Sequence, residues 1–219
     1  MTERSVVVGI NGSLTSVRAL DEAAAAAARR GAVLRVAYAV RDADEAGPVL
    51  NAALDRVRRR HPRLRAVPVV AVGDPVQVLE RLGADAALTV VGSRGLNEAA
   101  GRLLGSVSRR LATRRGVGPL MVVRGERPAG AEVVLAEASA TDVEAAVFAF
   151  EEAELRNAPL RVLRAVRLPV PMGLSVRGLW SAAEGAGLLV TAARTTGPTA
   201  ALLQQAACPV VLVPSAVRA

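Results

Sequence analysis

The stretch VVGSRGLNEAAGRLLGSVSRR (90–110) sets Gly92, Gly95 and Gly105-Ser106 around one strand-to-helix junction. A phosphate group needs several backbone N–H donors converging on it, and glycine lets the chain approach closely in conformations that other residues avoid. The amino end of the helix that follows adds unpaired donors and a partial positive charge. Ser106 and Ser108 add hydroxyls. A second loop of the same kind, VVVGINGS (6–13), carries Gly9, Asn11 and Ser13 at the end of an earlier apolar run. The plainer reading stays open: Gly92 and Gly95 permit a tight turn, and Gly105 permits close helix packing.

Other chemistry finds little support. Ser106 has no histidine near it in sequence, and His61 is the one histidine of the chain, so a Ser-His pair is not expected. His61 has no Cys or His companions with metal-ligand spacing, and no metal site is predicted. Cys208 is the lone cysteine, which excludes an internal disulfide and reads as a buried, inert thiol. The run DRVRRRHPRLR (55–65) is rich in arginine but lacks the interleaved aromatics that stack on bases. It reads as a solvated helix face, and nucleic acid is not the expected partner.

The elements that must position these residues alternate between strand-like and helix-like segments, the pattern of an α/β protein with a largely parallel sheet. Strands are expected at 5–10, 32–40, 66–72, 87–91 and 119–123. Helices are expected over 15–30, with Gly31 as a stop, over 51–60, from Pro75 to about 82 with Asp74 as cap, and over 105–115. GERPAG (125–130) reads as a linker, after which the pattern restarts. The segment 133–166 parallels 6–40, 179–194 parallels 79–94, and PVVLV (209–213) parallels PLMVV (119–123). The second copy has no room for the middle strand. Its loops are eroded too: Ala136 and Ala138 stand for Gly9 and Asn11, while Ala192 and Thr195 stand for Gly92 and Gly95. GPT (197–199) is the remnant of the phosphate loop, and Pro198 lacks an N–H.

The order Gly92-x2-Gly95-x9-Gly105-Ser106, with VVVGINGS before it and Gly73-Asp74-Pro75 between, resembles the universal stress protein family. The resemblance covers residues 4–125 well and 131–215 weakly. It implies two open, mostly parallel-sheet domains of the Rossmann-like, adenine nucleotide alpha hydrolase-like kind. These are a complete nucleotide-binding domain over 1–127 and a shortened, degenerate one over 128–219. PLMVV and PVVLV would pair as an intramolecular pseudo-dimer, with further homodimerisation open. It also implies ATP or a related adenine nucleotide in the first domain. Gly9, Ile10 and Asn11 would line the adenosine side, with the backbone of Ala39 at the adenine edge. Val91 and Gly92 would flank ribose and phosphates. Gly95, Gly105, Ser106, Val107 and Ser108 would hold the triphosphate. Family members usually carry Asp where this chain has Asn11, a poorer metal ligand, so any Mg²⁺ is expected on the phosphates themselves.

The expected role is stress-response regulation by nucleotide occupancy with little or no hydrolysis, because no general base or water-positioning residue is evident. No HIGH-type or SGGxD-type catalytic motif occurs. Composition sets the alternative. The net charge is +8, every basic residue except His61 is arginine, and residues 1–127 hold 21 Arg against 12 acids while 128–219 hold 7 against 8. A nucleotide-free scaffold could use that basic first half to bind an acidic protein or polyanion. Hydrophobic residues make up 52% and aromatics 2%, so the core must be built from Ala, Val and Leu. No apolar run is long enough to span a membrane and no signal peptide is read, so the expected location is cytoplasmic.

Overall fold

Apolar β-branched runs become strands, and the alanine- and leucine-patterned runs between them become helices. The computed structural model describes residues 3–40, 46–93, 106–114, 116–124, 130–137, 142–164, 185–193, 203 and 206–215. Over these the chain splits into two compact units, Met1–Val123 and Arg124–Ala219.

The first unit contains β1 (Ser5–Ile10), α1 (Leu14–Arg30), β2 (Val33–Val40), α2 (Gly47–Arg60), β3 (Ala66–Val72), α3 (Pro75–Gly83), β4 (Leu88–Gly92), α4 (Ser106–Ala112) and β5 (Leu120–Val123). Its strands are all parallel, in the order β3-β2-β1-β4-β5. The chain winds outward from β1 through β2 to β3, then returns past β1 to lay β4 on its other side. The direction of winding therefore reverses between β1 and β4. Helices cover both faces: α1 packs with α2, and α3 packs with α4.

Local chemistry explains the elements. Val6, Val7 and Val8 are wholly buried, as a strand covered on both faces requires. Ala19, Ala23, Ala26 and Ala27 form the buried stripe of α1, and their small side chains let the helix lie close against the sheet. Ser13 caps α1 by accepting from Ser16 N, and Gly31, left-handed at φ 58°, ends it. The second helix begins at Gly47 rather than Asn51, because Pro48 has the fixed φ that suits a first turn. Arg56 holds α2 to α1 by a two-pronged contact to Asp21, both bonds 2.7 Å.

The second unit contains β6 (Val133–Glu137), α5 (Val143–Arg156), β7 (Leu160–Arg164), β8 (Leu188–Ala193) and β9 (Val210–Pro214). Its parallel strands are ordered β9-β8-β6-β7. Pairings β6–β7, β6–β8 and β8–β9 mirror β1–β2, β1–β4 and β4–β5. No strand lies between β7 and β8 among the described residues. The helix caps match as well: α5 ends at Asn157, left-handed at φ 50°, whose N–H reaches Ala153 and Glu154 carbonyls as Gly31 reaches Ala27 and Ala28. Asparagine is the residue after glycine that best tolerates this conformation.

Candidate functional site

In an open parallel sheet the strands' carboxyl ends leave a crevice where the winding reverses. Here that point lies between β1 and β4. Gly9 pairs with Ala37 on one side and Val91 on the other, so the ends of β1, β2 and β4 stand abreast. Ile10 and Val91 are buried, Gly9, Ala39 and Gly92 are partly exposed, and Asn11 is exposed beyond the strand.

Asn11 folds the loop after β1. Its Oδ1 accepts from Ser13 N at 3.1 Å and from Ser13 Oγ at 2.7 Å. A backbone N–H only donates, so the oxygen must face it, and the amide nitrogen is left without a protein partner among the described residues. Asn11 is therefore a hydrogen-bond donor at the mouth of the crevice. Gly12 turns the chain at φ 78°, and Ser13 Oγ sits 3.1 Å from Thr15 Oγ1. The first turn of α1 thus presents a cluster of hydroxyls.

The end of β4 lies directly against that turn. A methyl group at Gly92 would sit 2.6 Å from Thr15 O and 3.0 Å from Ser16 N, inside contact distance of backbone. A methyl at Gly9 would point to the opposite face and meet Leu79 of α3 at 2.8 Å. Beyond Gly92, Ser93 is wholly buried; its N–H donates to Val123 O at 2.8 Å. Its Oγ finds no partner among the described residues. An unpaired buried hydroxyl costs on the order of 1–3 kcal/mol, and a ligand group reaching Ser93 would remove that cost. Sequence reasoning placed Ser13 in its loop but passed over Ser93 and Thr15. Their signal was hydroxyl residues at the ends of two adjacent glycine-bearing strands.

The helix after the glycine loop is held from outside the crevice. Arg110 donates to Asp74 through both terminal nitrogens, at 3.1 and 2.6 Å. Arg114 lies 3.8 Å from Glu80. Asp74 also caps α3 by accepting from Val76 N, with Pro75 in the first turn. The Arg110 guanidinium, with help from Val76 N–H and Arg114, holds the Asp74 carboxyl below the usual carboxylate range. Ser106 is the first residue of α4, Val107 is partly exposed and Ser108 is buried. Gly95 and Gly105 lie outside the described residues, as does Arg94.

The corresponding end of the second unit carries methyl groups. Ala136 pairs with Leu163 and Thr191, and Ala192 pairs with Val213, the places of Gly9 and Gly92 in the first unit. Both alanines are buried. Ala138, Thr195, Gly197, Pro198 and Thr199 lie outside the described residues. Among the described residues no group of three His, Cys, Asp or Glu side chains is placed to hold a metal ion. No described helix is long and apolar enough to cross a membrane.

Comparison with known proteins agrees with this architecture. A protein of unknown function from Pseudomonas aeruginosa superposes over 98% of this chain and 93% of its own, at 17% identity and a TM-score of 0.71. A universal stress protein from Archaeoglobus fulgidus does so over 99% and 100%, at 13% identity and 0.65. At those identities the likeness speaks for the fold. A universal stress protein solved in complex with cAMP is 32% identical over 57% of this chain and 99% of its own, with a TM-score of 0.46. No curated protein matches the sequence. The model of the universal stress protein family matches residues 3–124, which span every strand and loop of this crevice, and the chain belongs to that family.

Proposed function

We propose that the first unit binds ATP, or a related adenine nucleotide, in the crevice between β1 and β4, and that occupancy of this site is the regulated property of the protein. The observation that carries the reading is the fit of Gly92 against the first turn of α1. It brings the backbone of two strand ends and the Ser13 and Thr15 side chains to one place, with the Ser93 hydroxyl unpaired beside it. Gly9, Ile10, Asn11 and Ala39 would take the adenosine, with the Asn11 amide donating to a ribose hydroxyl. Val91 and Gly92 would flank the ribose and phosphates. Gly95, Gly105, Ser106, Val107 and Ser108 would hold the triphosphate, Ser108 through its backbone because its side chain is buried. Magnesium would ride on the phosphates.

The site is built to hold rather than to hydrolyse. Asp74 is the one described carboxylate in the loops at this end of the first unit, and it is already committed to Val76 and Arg110. A general base must be free to take a proton. In the second unit, read as a degenerate copy, Ala136 and Ala192 put methyl groups where the first unit has bare backbone, and no second nucleotide is expected.

Calorimetric titration of nucleotide-stripped protein with Mg-ATP tests this. One site per chain, lost in Gly92→Ala, is the expected result. Two sites would overturn the reading of the second unit. No heat and no competition at millimolar ATP would overturn nucleotide binding altogether.

A further inference from the structure

Two surfaces outside the crevice have complementary chemistry. The first lies on α5. Val143, Val147 and Phe150 are 58%, 53% and 59% exposed, and their spacing of four and three residues lines them along one side of the helix. Glu151 and Glu154, both exposed, flank this ridge. Arg156 does not neutralise them, since its Nε is bound to buried Glu152 at 2.6 Å. The whole chain has only two phenylalanines, and one of them is spent on the surface. Exposed aromatics beside apolar neighbours mark contact sites.

The second surface is a cavity of about 640 Å³ in the first unit, where α1 and α2 end and β2 and β3 begin. Ala28, Val33 and Leu64 supply apolar lining, while Arg60, Arg63 and Arg65 stand around it with Glu3 as its one acid. Arg60 is paired with Asp21 and Arg65 with Glu3. Arg63 is exposed and makes no ion pair among the described residues. Helix carboxyl ends attract cations, which accounts for Arg60 in the last turn of α2. Arg63 lies past that helix, so neither the dipole nor an ion pair accounts for it.

We infer that α5 of one molecule docks its Val143–Val147–Phe150 ridge into the arginine-rimmed cavity of a second copy, with Glu151 and Glu154 meeting Arg63. The occupant is a second copy because the chain itself carries both complementary halves, an acidic apolar ridge and a basic apolar cavity. A volume of this size is that of a pocket able to bury a large side chain, and Phe150 is the anchor. The contact is heterologous: each molecule brings one ridge and one cavity. Assembly therefore continues beyond two copies or closes into a ring. It does not depend on the nucleotide.

Sedimentation velocity over a wide concentration range tests the inference. The mass should rise with concentration, and high salt should suppress the rise. Phe150→Lys should weaken association by at least about thirtyfold, the effect of losing one anchor. Arg63→Glu should weaken it by about tenfold or more through like-charge contact with the glutamates. Both sites are on the surface, so circular dichroism and melting should stay at wild-type values. Mixing decides the geometry: Phe150→Lys keeps its cavity and Arg63→Glu keeps its ridge, so together they should form one-to-one pairs that grow no further. A wild-type chain that stays monomeric, association indifferent to Phe150→Lys, or a mixture that fails to pair would each overturn the proposal.

Discussion

Asp74 and Arg110, 36 residues apart, are joined by two hydrogen bonds of 2.6 and 3.1 Å, and the same carboxylate caps α3. One side chain thus fixes the start of one helix and the position of another, the helix that follows the glycine loop. Arg110→Ala should loosen α4 and weaken nucleotide binding several-fold. Arg109→Ala is the control: Arg109 is exposed on the same helix, and its loss should leave the affinity unchanged. Equal effects in calorimetry would show that general positive charge matters, not the tie to Asp74.

The same pair sets a pH dependence. Arg110 lowers the folded-state pKa of Asp74, so the pair's contribution is present above the unfolded carboxyl value of about 4 and fades as pH falls through the folded value. Asp74→Asn keeps an acceptor for Val76 but abolishes the titration. Melting temperatures from pH 6 downward should therefore fall more steeply below about pH 4 in the wild type than in the variant. Parallel curves would remove the linkage.

Gly92 and Gly9 make a graded test of the crevice. A methyl at Gly92 meets backbone of α1, which cannot move without shifting the cap. A methyl at Gly9 meets the far end of a leucine, which can rotate away. Gly92→Ala should cost about 1–3 kcal/mol, in the range of overpacked sites, and should abolish nucleotide binding. Gly9→Ala should cost less. Thermal melts rank the two; the reverse order would contradict the close approach of β4 and α1.

Much of this was legible in the sequence because the signals are local. Asp74-Pro75 is a cap followed by a proline, Gly31 is a stop after an alanine run, and five apolar runs became five parallel strands. What stayed hidden depends on contacts far apart in the chain. Nothing near Gly92 in sequence says that Thr15 lies against it, and Asp74 gives no sign that Arg110 is its partner. Ser93 looked like part of a loop but is buried, because β4 and β5 continue their pairing past Gly92. The arginine run also divided: Arg56 and Arg60 grip Asp21, whereas Arg63 faces water.

Asn11 offers a change of chemistry at one atom. Its oxygen is used by Ser13, which leaves the amide as donor. Asn11→Asp would keep the oxygen on Ser13 N–H and replace that donor with a second acceptor, negatively charged. Hydrogen bonds to a charged group are roughly twice as strong as neutral ones, so a ribose hydroxyl donating to the carboxylate should bind several-fold more tightly. The gain should be larger with Mg²⁺ present, since a carboxylate is the better metal ligand. Calorimetry with and without Mg²⁺ reads both effects. Unchanged affinity in both would place the ribose away from residue 11.

Cys208 tests the packing of the second unit. It is 2% exposed at the entrance to β9, and burial pushes its thiol up to about 11. The thiolate is the reactive form. At pH 8 a thiol with that value is ionised to about one part in a thousand, against roughly a quarter for an ordinary exposed cysteine near 8.5. Ionisation alone then slows labelling by more than a hundredfold, and burial slows it further. A thiol reagent at pH 8 should therefore leave the native protein unmodified over the time in which denatured protein reacts completely. Rapid labelling of the native chain would mean that β9 and its neighbours open readily.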